Sequence, residues 1–246
     1  LRILRCFRFV SELNFKVELN LTTFIKKNKE KIYLVAKERI NYEIQKIVHG
    51  ANALNAVRLI KKFNIFGSDN LYKDSFFLDL KKINYAELNK EEKEKFLPLF
   101  FITQILDVTS LNKLKFSKAE IAKTLLLRKW HYSLKKKSIV EFNELERFQL
   151  HQDLEMFLPS FIFYLPQKLR IDWLKRWRDK DDKLFHPSNL INGDVIKKNL
   201  EIKDGPILGK LLHYLSMELA YKRLDNFDEA IYKARLWIEQ NAPKCD

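Results

Sequence analysis

Apolar residues fall at three- and four-residue intervals along nearly the whole chain, and no stretch sustains the two-residue alternation of a half-buried strand. The pattern predicts an all-α protein. Glycine (5) and proline (6) are scarce among 246 residues, so turns are few. The spacing predicts a helix over residues 1–13, a short connector, and a second helix from Asn20, as N-cap, to about Glu30. A third helix begins near Lys37 and stops at Gly50, and a short one covers Ala51 to Phe63. Long apolar helices follow near 92–109, 117–134 and 141–164, the last broken or capped by Pro159 and Pro166. Two more are expected at 207–221 and 227–241. The elements group into three regions, 1–67, 68–178 and 179–246.

Composition narrows the class. With 46% hydrophobic and 32% charged residues the chain can bury a substantial core and remain water-soluble. The apolar run Leu97 to Leu106 is too short to span a bilayer and reads as a buried helix, so no membrane partner is expected. Cys6 and Cys245 lie at opposite ends without metal-ligand spacing, and read as unpaired thiols of a reducing, cytoplasmic setting. The formal net charge is +14, and the first 67 residues, with 14 Lys and Arg against 5 Asp and Glu, carry +9 of it. A basic end of this kind favours a polyanion, most simply nucleic acid. A merely lysine-rich composition is the alternative.

The basic end opens with Leu1-Arg-Ile-Leu-Arg-Cys-Phe-Arg-Phe-Val-Ser-Glu-Leu-Asn-Phe15. Arg2, Arg5 and Arg8 recur every third residue, interleaved with Leu4, Phe7, Phe9, Leu13 and Phe15. On a helix this spacing gathers the guanidiniums along one side and leaves apolar side chains for the core. Each guanidinium is a planar fork of donors suited to phosphate oxygens or a base edge. The plainer reading is a solvated face with weak ion pairs. The string resembles the segment E-D-x-x-R-x-x-R-A-x-R-F-x-x-x-L-G-F of class II tRNA nucleotidyltransferases, the CCA-adding enzymes, and of the related bacterial poly(A) polymerases. Cys6 and Asn14 stand where that family has Ala and Gly. The family's Glu-Asp pair, whose Asp resembles a base-reading group, would fall just before Leu1, so the sequence resembles a piece of a longer protein.

Two further segments carry the resemblance. Lys37-Glu38-Arg39-Ile40-Asn41-Tyr42-Glu43-Ile44 is similar to the family's S-x-E-R-x-x-x-E-L, with Ala36 in the area of the usual Ser. Arg39 and Glu43, at i and i+4, can pair on a helix surface. Asn189-Leu-Ile-Asn-Gly193-Asp194, then Asp204-Gly205-Pro206-Ile-Leu-Gly209-Lys210-Leu-Leu212, then Asn226-Phe-Asp-Glu-Ala230 resembles the carboxyl-terminal pattern of the same family. Pro206 suits a first helical turn, and that helix would offer backbone N–H groups and Lys210 to an RNA phosphate. Alternatively, Gly-Pro-x-x-Gly lets two helices pack closely.

Other candidates are weaker. His131, His151, His186 and His213 lack ligand spacing, and Asp181-Asp182 reads as a charged loop, so no metal site is expected. Trp173 and Trp177, among Lys175, Arg176 and Arg178, suit either burial at a helix interface or base stacking. Lys135-Lys136-Lys137 suits either phosphate contact or a solvated loop.

The resemblance implies an all-α neck (1–67), body (68–178) and tail (179–246). It implies that Arg2 reads the base of CTP or ATP, that Arg5 and Arg8 contact nucleotide or phosphate, and that Arg39 and Glu43 brace them. Lys210 would touch tRNA. The family's Mg2+ chemistry resides in a head whose G-G-x-x-R-D motif does not occur in these residues. The chain is therefore expected to hold no catalytic or metal-binding residue and to be inert alone, while supplying nucleotide selection and tRNA binding for CCA addition. A non-catalytic helical RNA-binding protein is the alternative.

Overall fold

A computed structural model describes residues 1–66, 80, 83–202 and 205–241. Gly67, Asp204 and Cys245 lie outside the described residues, as does the polar stretch that opens the second predicted region. Among the described residues there are α-helices and short 3-10 turns and no strands, as the apolar periodicity requires. The chain forms two compact units, one of residues 1–139 with 157–171 and the other of 140–156 with the residues from 172 onward.

The first unit begins with α1 (Arg2–Leu13), α2 (Leu19–Asn28), α3 (Lys37–His49) and α4 (Ala53–Phe63). α1 packs on α3 and α4, and its buried set Ile3, Leu4, Phe7 and Val10 has helical spacing. The ring of Phe7 meets Phe63 of α4 at 6.2 Å between centroids. Phe9, Leu13 and Phe15, read as core candidates, are exposed instead. At about 100° per residue Phe9 lies nearly opposite the face centred on Phe7, so periodicity excludes it from the core. The cap of α2 falls two residues earlier than expected, at Glu18 rather than Asn20.

The rest of this unit is α5 (Lys90–Ile105), α6 (Val108–Lys113), α7 (Lys118–Lys136) and α9 (Leu158–Phe161), with α5 packed on α7 and α9. The long helix predicted at 92–109 ends at Ile105. There Leu106 turns extended and Asp107 accepts from the Ser110 N–H to start a new helix. Two capping boxes, Asn89 with Glu92 and Ser117 with Glu120, set the starts of α5 and α7.

The second unit holds α8 (Glu144–Leu154), α11 (Gly193–Leu200), α12 (Pro206–Ala220) and α13 (Phe227–Asn241). α10 (Gln167–Arg178) carries the chain from one unit into the other. The stretch expected as one broken helix at 141–164 is instead α8, α9 and three 3-10 turns. α11 was not foreseen. It starts at Asn192, whose side chain accepts from the Val195 N–H, and its Ile196 joins Leu208, Leu211 and Leu215 of α12 and Ala230 and Ala234 of α13 in a small core. His151 is buried against Phe185 and Trp173, with ring centroids 4.0 and 4.8 Å away. Trp173 is buried and Trp177 donates through Nε1 to the Glu155 carbonyl at 2.7 Å, so both serve packing. Asp182 receives two hydrogen bonds from Arg176.

Candidate nucleotide and RNA interface

The arginine row of α1 does not lie on a straight line. A step of three residues falls about 60° short of a full turn, so the row winds around the helix. Arg2 is exposed, Arg5 is 53% exposed and Arg8 only 21%. The winding carries Arg8 toward α3, where Glu43 waits, 3% exposed. Arg8 Nη1 donates to both Glu43 oxygens, at 3.2 and 3.4 Å, and Arg5 Nε lies 3.5 Å from Oε1. Arg8 also lies 3.6 Å from Glu12 one turn along. A nearly buried carboxylate thus faces two guanidiniums that reach toward water, a geometry that fixes their direction while leaving N–H groups free to donate.

The spacing of Arg39 and Glu43 suggested a pair along α3. Among the described residues no ion pair joins them: Glu43 turns inward to α1, and Arg39 stays on the outer face beside Arg5. Further contacts also hold α3 in place. Asn41 Nδ2 donates to the carbonyls of Leu114 and Lys115 at 3.1 Å, and Gln45 Nε2 donates to Glu120 at 2.7 Å. Lys115 pairs with Glu38, and that ammonium holds the Glu38 carboxyl below its usual range. These partners are more than 70 residues away in sequence, beyond the reach of any local pattern. Ala36 is the N-cap of α3 and supplies no side-chain bond, as its replacement of Ser suggests.

The crossing of α1 with the α3–α4 turn depends on small residues. The buried Ser11 hydroxyl donates to the Ile47 carbonyl at 2.5 Å, and Asn52 N–H donates to the Ser11 carbonyl at 2.8 Å. A Cβ on Gly50 would lie 2.1 Å from Ser11 Oγ and 2.8 Å from its backbone. Asn14, where the resembling family has Gly, closes α1 in the left-handed region at φ 57°, a conformation Asn tolerates.

Leu1, Arg5, Glu38, Arg39, Tyr42 and Glu43 line an open concavity of about 300 Å³. Arg5, Arg8, Arg39 and Glu43 therefore come together on the α1–α3 pair, while Arg2, exposed in the first turn of α1, is not among the residues that line the concavity. Lys210 belongs to the second unit, exposed on α12 with Pro206 in the first turn. Gly205 and Gly209 have nothing within 4 Å of a would-be Cβ, so this motif does not serve close helix packing. Among the described residues no three His, Cys, Asp or Glu side chains gather as a metal site. Among the same residues no helix is long and apolar enough to cross a membrane.

Known proteins with similar sequences and folds point in one direction. Residues 14–68 match the family described as the probable RNA- and SrmB-binding site of polymerase A. The CCA-adding enzyme of Ligilactobacillus salivarius is 26% identical over 94% of this chain and 57% of its own length. That of Staphylococcus aureus is 23% identical over 98% of this chain and 60% of its own. An apo CCA-adding enzyme structure superposes on the whole chain with a TM-score of 0.64 at 19% identity, over 61% of its length. The Bacillus stearothermophilus CCA-adding enzyme in complex with CTP gives 0.63 at 15% identity, over 63% of its length. The chain thus spans about three fifths of the length of the relatives it matches. Arginine-row helix, basic first region, the match over residues 14–68 and the all-α fold together make the chain similar to class II CCA-adding enzymes and poly(A) polymerases.

Proposed function

We propose that this chain supplies nucleotide selection and tRNA binding in an enzyme that adds C, A or both to tRNA 3′ ends. The observation that carries the reading is Glu43, nearly buried between Arg5 and Arg8 at the start of a basic region. Buried carboxylates of this kind hold guanidiniums in one orientation, which a template for hydrogen-bonding a base requires. In this reading Arg2, at the exposed end of α1, donates to the base edge of CTP or ATP. Arg5 and Arg8 contact the nucleotide or its phosphates, and Glu43 keeps the α1–α3 pair in register, with Arg39 standing beside them on the outer face. Residues 1–67 act as neck, 68–178 as body and 179–246 as tail. The tail contributes Lys210 as a phosphate contact, and the setting is cytoplasmic, where tRNA matures.

Phosphoryl transfer to an RNA 3′-hydroxyl is supplied in such enzymes by Mg2+ held by clustered carboxylates. The described residues offer no such cluster and do not fit the ions. The chain on its own is then inert in nucleotide addition, and its residues bind and orient. The intact mass of the native protein in cell extract tests this. A species heavier than 29.6 kDa by a further domain agrees with the enzyme reading. A species of that mass, binding RNA without adding nucleotides, replaces it with a non-catalytic RNA-binding protein.

A further inference from the structure

Tyr42 has no role in the template described above, yet it is 57% exposed on the outer face of α3 and lines the concavity beside Arg5 and Arg39. We propose that the Tyr42 ring is the stacking platform for the nucleobase in this concavity, an inference that rests on the nucleotide-selecting reading.

Both acids in the wall are engaged, Glu43 with Arg5 and Arg8, and Glu38 with Lys115. What the wall offers an incoming group is therefore a phenol ring and guanidinium N–H donors. The Arg39 side chain forms no hydrogen bond or ion pair among the described residues, so its donors are available. A flat heterocycle with acceptors on its edge complements that pair of features. Cytosine presents O2 and N3, and adenine presents N1, to such donors. The volume also selects. At about 300 Å³ the concavity sits at the small end of ligand clefts, suited to a base with its sugar rather than a whole triphosphate. The phosphates then extend outside, and Lys46, whose Nζ lies 5.7 Å from the Tyr42 ring centroid, is a cation within reach of them.

Stacking on an aromatic ring accepts any base, because every base has a π-face. Tyr42 thus holds C and A alike, and discrimination falls to the arginines. The test titrates CTP and ATP separately into this chain and its variants, read by NMR. Tyr42 ring protons should move upfield as a base stacks on them. Tyr42→Phe should keep nucleotide affinity. Tyr42→Ala should lose about tenfold for both nucleotides, with their ratio unchanged. If nucleotide shifts the Arg5 and Arg39 signals while the Tyr42 ring is unmoved and Tyr42→Ala binds as well, the stacking role falls and the template reading stands. If millimolar nucleotide shifts none of these signals, both fall.

Discussion

Glu43 meets Arg8 across 35 residues of chain, with Arg8 Nη1 3.2 Å from one carboxylate oxygen and 3.4 Å from the other. A carboxylate so nearly buried would be costly without a partner. The ion pair therefore ties the position of α3 to the direction of the arginine row. Glu43→Gln keeps the shape and removes the charge. It should destabilise the first unit by about 1–3 kcal/mol, less than a fully buried pair because both arginines reach water. The urea midpoint reads the loss, and an unchanged midpoint would mean the pair contributes nothing to stability.

Gly50 sits where α1 crosses the α3–α4 turn, and the first added carbon would strike Ser11 backbone as well as its hydroxyl. Backbone cannot rotate away as a side chain can. Gly50→Ala should therefore cost about 1–3 kcal/mol in chemical denaturation, although alanine favours helix and restricts the unfolded chain. A gain in stability would show that the crossing is looser than described.

Acid should weaken both units through buried histidines. Burial, with Arg176 nearby, lowers His151 to about 3, and burial, with Lys135 and Arg128 nearby, lowers His131 to about 4. The unfolded chain protonates these rings near 6.5, so below that pH it binds protons that the folded state refuses. Their effect on stability is nil above about pH 6.5, grows as pH falls, and levels off near the folded values. Melting temperature against pH checks this, and His151→Phe should flatten the slope between pH 6.5 and 4. An identical slope in that variant would remove His151 from the account.

Lys210 is exposed on α12 and is proposed to meet an RNA phosphate. Lys210→Ala should weaken tRNA binding and lower the slope of log affinity against log salt by about one. Filter binding across a salt series measures both. Weaker binding with an unaltered slope would mean a contact other than phosphate.

The sequence made α1, α3 and α4 legible because their apolar faces repeat cleanly and Gly50 marks a stop. Three starts were also written locally, in the capping boxes Asn89–Glu92, Ser117–Glu120 and Asn143–Glu146. Periodicity alone placed two of them two or three residues away, at 92 and 141. The residues of the α1–α3 site could be named from their spacing, but not how they meet. An i, i+4 rule sees only one helix, so Glu43 was matched to Arg39 when its partners lie on α1. The same limit hid Ser11 against Gly50, and Asn41 and Gln45 against residues 114–120, since these contacts depend on which helices pack together. α11 was missed because its short apolar face, Val195, Ile196 and Leu200, is completed only by α12 and α13.

One gel tests the central claim most directly. This chain is incubated with a tRNA transcript lacking its terminal C-C-A, together with CTP, ATP and Mg2+, and both mobility and 3′ length are read. The account predicts a retarded complex that weakens with salt and carries RNA of unchanged length. Free tRNA at every protein concentration, or RNA lengthened by the chain alone, would contradict it.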